Sequence, residues 1–231
     1  MRKLPFISTV ILSVFGLSFA EEKRTFTSGD GKKLEAEVVS ATKKDAKLKR
    51  ASDGKEFVIP LDRLSEDDRK FIATYLAKEK VNLRAAREIE VSVEEGKTEK
   101  MKVPEGAYLS KDGTLTLYPG DEVHLEFSED GKPSIVAEVV KPERTVSFRL
   151  SNQKGMTMLF RSTEMQPTVA MDCMNRGTGS DKFSRTNLRP TEKGLAAGDS
   201  WPGDVWTLQL SNFEVTDRPA DEVYMERVNK K

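Results

Sequence analysis

Apolar residues recur at every second position over much of the chain, with turn residues between the runs. From Arg24 to Pro60 the runs are Leu34-Glu35-Ala36-Glu37-Val38-Val39, Ala46-Lys47-Leu48-Lys49 and Phe57-Val58-Ile59-Pro60, separated by Ser28-Gly29-Asp30-Gly31 and Asp53-Gly54. Asp-Gly pairs supply the positive φ angles of tight hairpins, so this stretch predicts a small, highly curved antiparallel barrel. A helix should follow, because Ser65 and Asp68 make a capping box and Phe71, Ile72, Tyr75 and Leu76 recur at helical spacing. From Ile89 onward, short alternating runs (Ile89/Val91/Val93, Met101/Val103, Leu115/Leu117, Val123/Leu125/Phe127, Ile135/Ala137/Val139, Val146/Phe148/Leu150, Met156/Met158/Phe160, Val169/Met171, Trp206/Leu208/Leu210 and Phe213/Val215) predict an antiparallel β-sandwich or jelly roll.

The expected organisation is therefore mostly β: residues 24–77 a barrel with a C-terminal helix, 78–87 a charged linker, and 88–231 the sandwich. One stretch breaks the alternation. Asp172 to Trp201 is rich in Gly, Ser, Asn and Arg, and reads as a long loop, a class of segment that is often functional. Its Arg176, Arg185 and Arg189 could grip a carboxylate, sulfate or phosphate by forked hydrogen bonds, while a surface crossover between sheets accounts for the same composition. Trp206 is in phase with Leu208 and Leu210 and is expected in the core. Trp201, at the end of the loop, is the better candidate for a surface contact to a sugar ring or partner.

The first residues follow a different logic. Arg2 and Lys3 precede an apolar stretch from Phe6 to Phe19, and Ser18-Phe19-Ala20 closes it before Glu21. That order predicts a cleaved signal peptide over residues 1–20, and hence a periplasmic or extracellular protein with no membrane span after cleavage. Glu21 stands where a lipoprotein would need cysteine. The chain has one cysteine, Cys173, so no intramolecular disulfide can support it, and a buried, inert thiol is expected.

Lys+Arg and Asp+Glu each number 38, a balance that argues against a general nucleic-acid binder. The charge is distributed unevenly: residues 24–80 carry 14 basic against 11 acidic side chains, and residues 87–141 carry 7 against 13. Separate surfaces with separate partners, or two units that attract each other, are both compatible with this.

No HExxH, CxxC, Walker-type loop, dinucleotide fingerprint or GxSxG occurs, and the single histidine, His124, falls on the outward phase of its strand. No enzymatic role, cofactor or metal is implied. Acidic turns such as Glu129-Asp130-Gly131 lack the spaced ligands of a calcium loop.

The string Arg24-Thr25-Phe26-Thr27, Asp30-Gly31-Lys32, Leu34 to Val39, Lys47-Leu48-Lys49-Arg50, Asp53-Gly54-Lys55, Val58-Ile59-Pro60-Leu61 and Leu64-Ser65-Glu66-Asp67-Asp68 resembles the Sla-one homology domain of the first type. That domain is an SH3-like barrel, found in a fungal endocytic adaptor and in exported proteins of planctomycete and verrucomicrobial bacteria. The resemblance covers about a quarter of the chain. It implies recognition of a short peptide through an apolar groove and a basic residue. It also carries the family's descriptors of protein-binding adaptor, cytoskeletal-protein binding, ubiquitin binding and self-association. The corresponding peptide-binding residues here would be Phe26, Lys47, Lys49, Arg50 and Phe57. The basic run from Lys43 to Arg50 suits an acidic peptide side chain, and a solvated strand edge kept basic against edge-to-edge association explains it too. The expected function is a protein- or peptide-binding adaptor. A carbohydrate-binding sandwich, marked by an exposed Trp201, and a structural envelope protein are the alternatives.

Overall fold

The structure, a computed structural model, describes residues 23–194 and 197–229; the expected signal peptide lies outside them. Strands β1 (Arg24–Thr27), β2 (Lys33–Ala41), β3 (Asp45–Arg50) and β4 (Glu56–Pro60) form an antiparallel meander in the order β1-β2-β3-β4. A bulge between Val38 and Ser40 bends β2. That curvature wraps the sheet around Phe26, Ala36, Ala46, Leu48, Leu64 and Ile72, each at most 3% exposed. Helix α1 (Glu66–Val81) starts at Ser65, whose side chain accepts from the Asp68 amide, and plugs the barrel with Ile72. Leaving the class at mostly β, two features differ from expectation.

The first is the predicted linker. The helix runs on through Lys78, Glu79 and Lys80 to Val81, and its C-cap Asn82 clasps the next segment: the Asn82 side chain donates to the Leu109 carbonyl and accepts from the Leu109 amide, both at 2.8 Å. Strand β5 (Leu83–Arg84) then pairs with β8 (Gly106–Ala107). Arg84, 3% exposed, stacks 4.5 Å from the Tyr118 ring and joins Arg87 on the buried carboxylate of Asp121 (3.4 and 2.7 Å). The charge run that reads as a solvated tether is thus an anchored junction. Arg84 is buried because it is paired, as a buried charge must be, while Arg87 stays half-buried at the rim of the same carboxylate.

The second is the hairpin of β6 (Arg87–Glu94) and β7 (Lys97–Val103), which belongs to neither sandwich sheet. One sheet runs β11 (Pro133–Val136), β10 (Glu122–Phe127), β12 (Thr145–Gln153), β13 (Met156–Thr163) and β16 (Ala197–Pro202). The other runs β15 (Ser184–Thr186), β14 (Thr168–Gly177), β17 (Val205–Thr216) and β9 (Leu115–Leu117). Between them lies the main core, including Leu117, Leu125, Phe148, Leu159, Cys173, Leu208 and Leu210. The hairpin covers a smaller cluster, Val91, Val103, Tyr118 and Trp206. Trp206 is buried, as expected, but in this outer cluster. Across from it the β14–β17 register shifts between Arg176 and Gly177, and that bulge turns Trp206 away from the phase of Leu208.

Cys173 is fully buried, and burial pushes its thiol up to about 12. At pH 8 the folded protein should therefore resist thiol alkylation, whereas in denaturant the same cysteine should react to completion. Modification of the folded chain at the denatured rate, followed by mass spectrometry, would contradict that placement. The sequence Ser-x-Asp-Gly also serves three times as the same hairpin turn, at Ser28, Ser110 and Ser128. In each, the serine hydroxyl donates to the Asp two residues on, and the glycine amide donates back to the serine carbonyl. Gly31, Gly113 and Gly131 take φ near +80° there, a region costly to any residue with a Cβ.

Candidate functional site

A curled four-stranded sheet has two edges, and in this barrel they are treated differently. On β1 the residues turned away from β2 are Thr25 and Thr27, and Thr27 is held: its amide donates to Asp68 Oδ2 (2.7 Å) and its carbonyl accepts from the Ser65 amide (2.8 Å). Ser28 bridges to Leu64 beyond it. The start of α1 therefore closes the Thr27 end of the β1 edge. On β4 the amides of Leu61 and Arg50 bond across to Lys44 and Lys55, and with Ala46 opposite Ile59 and Leu48 opposite Phe57 this phase turns Phe57 and Ile59 to β3. In an antiparallel ladder the intervening residues, Glu56, Val58 and Pro60, then direct their backbone groups away from the sheet.

Beside this open edge lies a groove of about 520 Å³ lined by Ser28, Gly29, Asp30, Lys32, Val58, Ile59, Pro60 and Arg63. It is the seam of the barrel, walled by the β1–β2 turn on one side and β4 on the other. Its floor is apolar, and Val58 is 61% exposed, unusual for a valine in a strand. Lys32 is held by Asp30 at 2.9 Å, while Arg63 has no carboxylate within 4.0 Å among the described residues. Among the described residues the seam thus offers an apolar surface, unused backbone donors and acceptors, and a cation with no carboxylate in reach.

Of the residues expected from the sequence, none lines this groove. Phe26 is 1% exposed and packs edge-on against Phe71, so it is core and cannot touch a ligand. Phe57 faces the same core and lies under Arg50. Lys47 is paired with Glu56 (2.6 Å) and Arg50 with Asp53 (3.6 Å), and Lys49 stands opposite Glu37 and Glu56 in the ladder. The edge explanation for these basic residues also falls, because β3 is an interior strand. They form instead the outer face of the sheet, balanced by cross-strand acids. Lys32, Val58, Pro60 and Arg63 were legible only indirectly: proline within an apolar run marks an edge strand, and Pro60 is such a residue.

The sandwich scatters its expected site residues. Trp201 is 8% exposed and donates from its indole to Thr186, so it is not a surface platform. Arg189 pairs with Asp221 (2.8 Å), tying the loop to α2 (Ala220–Asn229). Arg185 reaches Asp172 (3.8 Å) and the carbonyl of Arg227. Arg227, from α2, bonds Asp172 and Glu214 at 3.0 Å each. These contacts hold the final helix on the sheet. Arg176 lies elsewhere, about 5 Å from the rings of both Phe183 and Trp206. His124 stays on the outer face, bonded to Ser147. Among the described residues no group of three or more His, Cys, Asp or Glu could hold a metal, and no helix is long and apolar enough to cross a membrane. Comparison of the chain with protein-family models, with curated proteins and with solved structures returns no significant match.

Proposed function

We propose that this protein is an exported, non-catalytic binding protein of the adaptor kind, and that its small barrel holds a segment of a protein partner in the seam beside β4. The observation that carries this reading is the apolar groove around exposed Val58, with Arg63 at its rim and no carboxylate of the described residues within 4.0 Å of it. An exposed apolar surface in a concave setting favours a ligand side chain that would otherwise face water, at about 25 cal/mol per Å² of apolar area covered. That cation adds selectivity for a segment bearing a carboxylate, chiefly through encounter rate and orientation. The resemblance to the Sla-one homology domain points the same way, since an apolar groove with a basic residue is what that family uses for short peptides. The residues that would do so here are Val58, Pro60, Lys32 and Arg63.

The test is capture from envelope extract of the producing cell with three immobilised forms: wild type, Val58→Glu and Arg63→Glu. Proteins retained by the wild type and lost from Val58→Glu, with weaker retention by Arg63→Glu, are the expected result. Identical retention by all three forms would move recognition away from the seam.

A further inference from the structure

We propose that the partner segment binds as an added β-strand, hydrogen-bonded to the open edge of β4. This rests on the seam being the recognition surface, and goes beyond it by specifying how the segment is held and in what conformation. The edge has the requirements of strand addition. Glu56 and Val58 each turn a backbone N–H and C=O outward, Pro60 adds a C=O, and none of these is consumed by β3. On the opposite edge, β1, Thr27 has spent its outward groups on Asp68 and Ser65, so β4 offers the longer run of unspent groups to a new strand.

The edge is also short and ends at a proline, which limits the pairing to the stretch around Val58. A brief ladder of this kind does not template extended aggregation, yet it can seat one extended segment. Side chains of an added strand would alternate. One set would lie toward the groove floor and Arg63, the other toward solvent.

The occupant is an extended segment of a different protein, with an apolar side chain facing the groove and a carboxylate near Arg63. A second copy of this chain fits less well. If two β4 strands paired about Val58, each Glu56 would face the partner's proline, which has no N–H, and both Glu56 carbonyls would lose their donor. The charges would not match either, because β4 brings no carboxylate of its own toward Arg63; Glu56 is already held by Lys47.

Two changes separate strand addition from simple filling of the groove. The probe is a library of acetylated, amidated heptapeptides with one fixed Asp and one fixed apolar residue, screened against the full chain. Its tightest member is then N-methylated at each position in turn. Strand addition predicts a period of two: methylation at alternate residues weakens binding tenfold or more, and at the residues between leaves it within about twofold. The matching change in the protein is Val58→Pro set beside Val58→Ala: both remove the valine side chain and keep the β3–β4 hydrogen bonds, only the proline deletes the outward N–H, and strand addition predicts that it weakens the same peptide about tenfold more. Binding that is abolished by Val58→Glu but indifferent to N-methylation throughout would overturn strand addition while leaving the seam as the site. If no peptide in the library binds, or Val58→Glu binds it as well as wild type, the seam reading itself fails. Sedimentation showing a concentration-dependent dimer abolished by Val58→Glu would overturn the foreign partner in favour of a second copy.

Discussion

Asp68→Ala is expected to destabilise the barrel by about 3 kcal/mol. Asp68 is 2% exposed and collects four interactions: the Thr27 amide (2.7 Å), the Ser65 hydroxyl (2.7 Å), and Nε and Nη2 of Arg24 (3.1 Å each). They do not weigh equally. The Arg24 side chain is 35% exposed and can return to water, so its pair is worth no more than about 1 kcal/mol. The half-buried Thr27 amide loses its acceptor, and a donor left unsatisfied costs roughly 1–3 kcal/mol where water cannot replace the partner. Losing the bond from the Ser65 hydroxyl to the carboxylate costs about 1 kcal/mol more, while the capping bond from the Asp68 amide to Ser65 Oγ survives the change. Asp68→Asn keeps an acceptor for Thr27 and should recover about half of the loss. Chemical denaturation of the three proteins measures this. Asp68→Ala within about 0.5 kcal/mol of wild type would mean that the β1 edge is not held by the helix start.

Gly203→Ala should destabilise the sandwich by at least as much, about 3–5 kcal/mol, for a steric reason. A Cβ on Gly203 would sit 2.0 Å from the Ser92 carbonyl oxygen and 2.5 Å from the carbonyl carbon of Gly155. Both are backbone atoms and cannot rotate away. Three hairpins meet at this point, and Asn152 binds them together: its amide nitrogen donates to the Gly203 carbonyl (2.8 Å) and its oxygen accepts from the Ser92 amide (2.5 Å). Relieving the clash means moving the β6–β7 hairpin off the sandwich, which uncovers Tyr118 and Trp206. Faster amide exchange across β6 and β7, with a red shift in tryptophan emission, is the expected signature. Gly106→Ala is the control: nothing lies within 4 Å of a Cβ there, and the change should stay within about 1 kcal/mol of neutral. Equal stability of the two variants would contradict the three-hairpin junction.

Much of the architecture could be read from alternation and turn chemistry. The four barrel strands, the helix start at Ser65 and most of the sandwich strands fall where period two, Asp-Gly and the capping box place them. Failures occur where a strand does not need an apolar face. Strands β15 and β16 lie at sheet edges, so the sequence from Asp172 to Trp201 looks like a loop although β14 runs on to Gly177 and Ser184–Thr186 and Ala197–Pro202 are paired. In β13 the expected core face, Met156, Met158 and Phe160, turns outward; Thr157, Leu159 and Arg161 point in. Polar residues can occupy that face because Arg161 is ion-paired with Asp199 and donates to the Arg189 carbonyl. Helix α2 escaped notice because it buries only Ala220 and Val223 and is otherwise held by ion pairs.

The candidate site was the least legible part. Its basic residues, Lys47, Lys49 and Arg50, stood out by composition, yet which side of a strand is open depends on which neighbour occupies the other side. The mostly-β class, the hairpin turns and the capped helix are written in the local sequence, because they follow from backbone preference and from the period of apolar side chains. Tertiary contacts settle the rest: α1 holds the Thr27 end of β1 and leaves β4 open, acids on adjacent strands neutralise the lysines of β3, and the charged segment after the helix is anchored on the buried carboxylate of Asp121. Those outcomes depend on pairings between residues far apart in the chain. A carboxylate or an edge amide has the same local sequence whether or not a distant partner arrives to satisfy it.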